Sequence, residues 1–276
     1  MRRAATLTKE ADHTGYPAWR DVPVPTDRDV RCLMPPSNPR NHRFETEDDV
    51  AERNEKLVDR LWNKLPEIAD AIDRCDPLDA PCNIPACASC ARDYRVLAAS
   101  ELLKITDRFE GPHEIATIHL ATVRADCLIN VDLELEHDKL RKRLHRAGFG
   151  GSILIGGTEV AWKASKRIWI LHVHLLAIGV SKKRWARLEQ VLRKSDPDTP
   201  LKRRELKQEV RGISYLTKFV TFHRPFDRGP SGPSRACPLP TARLVELVEW
   251  LNGYDFEDFT FLFGARRRGG RFVPDS

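Results

Sequence analysis

The chain has 276 residues, 41% of them hydrophobic and 31% charged, a balance that excludes fibrous and disordered classes and suits a folded core. Forty-six Lys and Arg against forty Asp and Glu give a net charge of +6, which favours a polyanionic partner without defining one. Seven cysteines, an odd number and mostly clustered, suit metal or free-thiol use better than a disulfide framework. The most apolar run, residues 168–180, contains two histidines and is too short to cross a bilayer. The opening MRRAATLTKEADHTGYP has no apolar stretch behind its charges, unlike a secretory signal. A soluble, cytoplasmic protein with no membrane partner is expected.

Six of the nineteen prolines fall in residues 1–45, predicting an extended N-terminal arm with little core of its own. Residues 46–112 read as a helical segment. Val50, Leu57, Leu61 and Leu65 recur at near-helical spacing behind an acidic start, and a second helical stretch, ARDYRVLAASELLKI, follows the cysteine-rich CDPLDAPCNIPACASC. Residues 113–223 change character. HEIATIHLATV reads as a strand, and DLELEHDKLRKRLHRAGF as a helix ending at Gly148. SILIGGTEVAW and RIWILHVHLLAIGV are two strands joined by the polar turn KASK. KKRWARLEQVLRKS is an amphipathic helix, and after a polar stretch ISYLTKFVTF is helical or mixed. This order predicts an α+β domain, a central antiparallel sheet with helices packed on one face. Residues 224–276 combine a proline-rich linker with a helix bounded by Thr241 and Gly253, a short strand and a basic tail.

His172 and His174, two apart in a strand, leave the same face of the sheet and can share one metal ion. Two buried strand histidines are the plainer reading of that pair alone. Pairing the two strands about the turn at Ser165–Lys166 sets Trp162 opposite Trp169, Glu159 opposite His172 and Gly157 opposite His174. Glu159, His172 and His174 then share one face, with both tryptophans on the other. A one-residue slip would break the group. Two imidazoles and one carboxylate suit Mg²⁺, Mn²⁺ or Zn²⁺. Gly157 is expected to leave space beside His174 for a ligand. Downstream, Tyr215 and Lys218 would point the same way if they lie on one helix. A phenol becomes an effective nucleophile when a metal polarises the phosphoryl group it attacks.

Glu159–Val160, the run HVHLL at 172–176 and YLTKF at 215–219, in that order, resemble the HUH superfamily of single-strand DNA nucleases, in particular rolling-circle replication initiators with one catalytic tyrosine. Val173 is the hydrophobic residue that the motif asks for between the histidines. The resemblance covers residues 113–223 and implies an HUH/RRM-like palm. It implies that His172 and His174 bind Mg²⁺ or Mn²⁺, with Glu159 as the third ligand by the register. By the same resemblance Tyr215 attacks the DNA backbone, leaving a 5′-phosphotyrosine bond and a free 3′-hydroxyl, while Lys218 of the YxxK motif positions metal or phosphate. The partners it implies are single-stranded or origin DNA and, for an initiator, a host helicase. No second tyrosine adjoins Tyr215, unlike the paired-tyrosine transposases and relaxases. Tyr94 lies outside the catalytic region, and Tyr16 and Tyr254 lack the YxxK setting. Three other readings stay open: a single-strand transposase of the same superfamily, a zinc-stabilised nucleic-acid-binding protein without catalysis, and a metal hydrolase of small phosphoesters.

Cys75, Cys82, Cys87 and Cys90 offer four thiolates, with six, four and two residues between successive pairs. Only the last pair is a CxxC, a departure from paired zinc-finger spacing, yet the proline-bearing loop permits a structural Zn²⁺ site. Reduced, partly buried cysteines are the competing reading. Cys32, Cys127 and Cys237 are isolated and are assigned no role. From Lys182 to Lys218 there are twelve Lys and Arg against five Asp and Glu, and KLRKRLHR (139–146) and Arg266, Arg267, Arg268 and Arg271 add more. Gathered around the active face, these would track a phosphate backbone.

Overall fold

A computed structural model describes residues 45–77, 79–193, 201–207, 209–217, 222–223 and 237–275. The predicted arm apart from Glu45, Tyr16, Cys32, Lys218 and most of the proline-rich linker lie outside the described residues. Thr46 opens helix α1 (Glu47–Leu61) in a reciprocal capping box with Asp49, and three acidic residues occupy its first turn. Pro66 starts α2 (Pro66–Asp73), where a missing N–H loses no helical hydrogen bond. The cysteine segment then leads into α3 (Ala88–Thr106). Every residue of α3 from Tyr94 to Ala99 is buried, so it is a central helix rather than a surface one.

The sheet is built from β1 (His113–Arg124), β2 (Ile153–Lys163), β3 (Ile168–Ile178), β4 (Leu201–Glu205) and β7 (Thr260–Phe263), in the order β4-β1-β3-β2-β7. All its pairings are antiparallel. Between the strands run α4 (Leu133–Ala147), α5 (Lys182–Arg193), α6 (Glu209–Ser214) and α7 (Thr241–Leu251), with the short pair β5 (Phe222–His223) and β6 (Cys237–Pro238) and a terminal hairpin of β8 (Ala265–Arg268) and β9 (Arg271–Pro274). Asp132 caps α4, and Gly148 ends it in the left-handed region at φ 82°. The register of β2 and β3 is the expected one: Trp162 faces Trp169, Glu159 faces His172, and Gly157 faces His174. Both tryptophans are buried, with rings 5.0 Å apart.

Helices cover both faces of the sheet, not one. On the tryptophan face, His137 of α4 hydrogen-bonds Thr158, Trp185 of α5 donates to Glu114, and Arg243 of α7 lies over Trp162. On the other face, Tyr94 of α3 meets Thr260, and Arg95 reaches the end of α6. The reason lies in β2, which is buried almost throughout and so needs cover on each side.

The charge distribution changes accordingly. KLRKRLHR and the α5 cations belong to helices on the tryptophan face, away from the histidine pair. Of the expected basic surface, Lys202 and Arg204 of β4 share the histidine face, being paired with Thr117 and Ile115. β4 itself is hidden in LKRRE, where charge suits an exposed edge strand better than it suits a pattern search. The basic tail is a hairpin turning at Gly269 and Gly270, with φ of 54° and 71°. Helix α7 follows Pro240 without a side-chain cap and ends at Asn252, so Thr241 and Gly253 only flank the true caps. Among the described residues no helix is long and apolar enough to cross a membrane.

Candidate metal centres and the Tyr215 turn

Glu159, His172 and His174 converge on the face opposite the tryptophans, with ligand atoms within 4.8 Å of one another. Glu159 Oε2 lies 3.0 Å from His174 Nε2 and 3.6 Å from His172 Nε2. The imidazoles meet edge to face, with centroids 4.6 Å apart. On the far side of the ring, His174 Nδ1 is 2.9 Å from Thr117 Oγ1, which β1 places directly opposite. A hydroxyl both donates and accepts, so Thr117 can hold either tautomer, including the one that turns the Nε2 lone pair toward a cation. A nearly buried carboxylate shared by two imidazoles is a donor set that fits a divalent metal of the hard-to-borderline kind.

Tyr215 joins this group from a distant part of the chain. Its ring packs edge-on to His174, with centroids 4.7 Å apart. It is not helical. α6 ends at Ser214, and tight turns run from Tyr215 N to Gly212 O and from Leu216 N to Ile213 O. The expected helical pairing of Tyr215 with Lys218 therefore does not start from a helix at Tyr215, and Lys218 lies outside the described residues.

Gly157 plays a different part from the one expected. Its amide donates to Leu216 O at 2.9 Å, and a Cβ there would stand 2.5 Å from that oxygen. The space beside His174 is filled by the backbone of the Tyr215 turn. The other described tyrosines are engaged elsewhere. Tyr94 is buried against Thr260 and Arg267, its phenol pushed up by that burial, and Tyr254 donates to Val131 O.

Cys75, Cys82, Cys87 and Cys90 also come together, with Sγ separations of 3.5 Å (75–90), 3.7 Å (75–87) and 3.8 Å (82–90). A disulfide would need about 2.05 Å. Four sulfurs bound about 2.3 Å from one zinc ion lie about 3.8 Å from each other, so the observed edges are those of a tetrathiolate site. Asn83, at φ 57°, turns the loop between Cys82 and Cys87. Sulfur-directed donors are in place: Cys82 N on Cys75 Sγ at 3.4 Å and Asn54 Nδ2 on Cys87 Sγ at 3.5 Å. Hydrogen bonds from Cys75, Cys82 and Cys90 hold the Cys87 thiol below its usual range. Cys127 and Cys237 stand apart from it, exposed and half-buried.

Three contributors escaped the sequence. Thr117 is hidden because the β1 register passes through a bulge between His119 and Ala121. Asn54, whose Oδ1 accepts from Ala88 N at 2.7 Å at the start of α3, carries no motif. Arg95 has one faint signal, a cation inside the otherwise apolar run YRVLAA.

No protein-family model matches this chain, and no curated protein or solved structure matches it. Its own geometry defines the class: an α+β protein with a five-stranded antiparallel sheet, a four-cysteine cluster and a Glu/His/His group, each able to hold a metal ion.

Proposed function

We propose that the chain is a metal-dependent DNA nicking and joining enzyme of the HUH kind, acting on single-stranded DNA as a replication initiator does. The observation that carries the reading is the contact of Tyr215 with His174, which joins a phenol to a two-histidine, one-carboxylate group. A zinc-stabilised binding protein without catalysis would have no need to bring Glu159, His172 and Tyr215 together. Glu159, His172 and His174 would hold Mg²⁺ or Mn²⁺, and the four cysteines a structural Zn²⁺. A divalent cation bound there would withdraw charge from the scissile phosphate.

The chain's own residues supply the rest. Thr117 orients His174, and Gly157 holds the turn that presents Tyr215. The Tyr215 oxygen bonds to phosphorus as the bond from phosphorus to O3′ breaks. The phenolic proton passes to water and the departing O3′ takes one up, leaving a 5′-phosphotyrosine and a free 3′-hydroxyl. Lys218, three residues beyond Tyr215, is assigned to the phosphate by its place in YxxK.

The test incubates the protein with Mn²⁺ and labelled single-stranded oligonucleotides tiling the DNA that flanks the gene, then resolves covalent adducts on a denaturing gel. An adduct lost in Tyr215→Phe and with EDTA is the expected result. Binding with no adduct anywhere in the set overturns the reading in favour of a non-catalytic binder. Phosphoesterase activity that survives Tyr215→Phe points to a small-molecule hydrolase.

A further inference from the structure

The carbonyls on either side of Tyr215 are both held. Gly157 N donates to Leu216 O at 2.9 Å, and Arg95 Nε donates to Ser214 O at 2.9 Å. The first bond comes from the sheet that carries the histidines. The second comes from α3, a helix that begins at the cysteine cluster. Cys87 is the N-cap of α3, Cys90 lies in its first turn, and Arg95 stands about 1.4 turns further on. Asn54 fastens the same end, accepting from Ala88 N and donating to Cys87 Sγ.

Arg95 is only 8% exposed, and Glu45 Oε2 lies 3.7 Å from its Nη1. Burial pulls this arginine down to about 10. Taking a guanidinium out of water is unfavourable, and an apolar side chain of similar volume would pack there with less penalty. What the apolar residue would lack is the donor to Ser214 O and the positive charge near Glu45 and Glu159.

We propose that Arg95 is a positioning residue that sets Tyr215 against His174, and that the cysteine centre fixes where Arg95 stands. This rests on Tyr215 being the nucleophile. A nucleophile displaced by about 1 Å can lose about a hundredfold in rate, so a metal centre built from other residues than the histidine group governs nicking.

The test uses the full chain labelled with 3-fluorotyrosine, which gives four fluorine resonances, one for each tyrosine. Tyr215→Phe identifies the Tyr215 line by its loss. In Arg95→Met the Tyr215 line of the metal-free protein shifts, the Tyr254 line holds, the chain still binds Mn²⁺, and adduct formation at saturating DNA falls about a hundredfold. Arg95→Lys, which keeps a buried donor, brings the line part of the way back and restores part of the rate. Cys87→Ser moves the same Tyr215 line in the same direction.

A Tyr215 line that keeps its wild-type shift in Arg95→Met overturns the proposal. So does an Arg95→Lys chain that folds, with its other lines in place, yet restores nothing. If the variants move the Tyr215 line in this way but the wild type forms no adduct, the positioning relationship stands and the nicking reading fails.

Discussion

His174 and Tyr215 meet edge-on at 4.7 Å because the strand beside His174 has a glycine where any other residue would carry a side chain. Gly157 lets the Leu216 carbonyl come down onto the sheet and bond to its amide. A methyl group there would lie 2.5 Å from that oxygen and 3.1 Å from Thr217 Cα. Both neighbours are backbone, so neither can swing aside.

Gly157→Ala therefore pushes the turn away from the sheet. The expected loss of stability is about 1–3 kcal/mol, the usual scale of overpacking, read from a urea melt. Adduct formation falls further than that loss explains, while Mn²⁺ binding at Glu159, His172 and His174 persists. Wild-type adduct formation in the Gly157→Ala variant would show that the turn does not need the sheet to place Tyr215.

Thr117 gives a second prediction. Its hydroxyl holds His174 Nδ1 at 2.9 Å and so fixes which nitrogen faces Glu159. Thr117→Val keeps the shape of the side chain and removes the bond. Partners of this kind are worth about 10–100-fold in metal affinity. An electron-paramagnetic titration of free Mn²⁺ measures it, and Thr117→Ser restores the affinity. Equal affinities for all three proteins would mean that packing alone orients the ring.

The β2–β3 hairpin was legible in the sequence because a short polar turn and a tryptophan pair leave one sensible register. The group Glu159, His172 and His174 follows from that register alone. What lay beyond reading had two physical causes. Thr117 lies on β1, whose register against β3 shifts between His119 and Ala121, so a count along the chain from the far end of that strand does not reach it. Gly157 and Arg95 act on backbone carbonyls, and the identity of the residue that owns a carbonyl leaves no trace in its side chain. The longer helices were found but not their sides, while α2 was missed and α6 lies mostly upstream of the stretch expected to be helical or mixed. The tryptophan face was rightly expected to be covered, whereas the cover supplied by α3 and α6 depends on chain segments distant in sequence.

The cysteine centre gives the third prediction. Cys87→Ser lowers the zinc content by one atom per chain, measured by elemental analysis of the purified protein. Cys87 is both a cluster member and the N-cap of α3, but its side chain makes no capping bond, so the substitution acts through the cluster. Structural zinc sites in small domains are worth about 10–16 kcal/mol at neutral pH, an upper bound where a larger core shares the work. A lowered melting temperature is expected, with faster amide exchange concentrated in α1, α2 and α3. Unchanged zinc content in this variant would assign the bound zinc to the histidine centre instead.

On the other face of β2, His137 makes stability depend on pH. It is 3% exposed, and its Nε2 lies 2.7 Å from Thr158 Oγ1. Burial lowers its pKa from 6.5 to about 4, with Arg141 adding to the effect. The folded chain therefore keeps this imidazole neutral where the unfolded chain protonates it. Between pH 6.5 and about 4 the unfolded state binds the extra proton, so stability rises with pH across that window. The contribution is complete above pH 6.5, drains away as the pH falls, and is gone near pH 4. Its size is about 3 kcal/mol, the linkage equivalent of the shift. In His137→Gln, which offers an amide to Thr158 and has no proton to bind, urea midpoints measured from pH 7 to pH 4 should fall less steeply than in the wild type. Parallel slopes for the two proteins would mean that other groups carry the acid sensitivity.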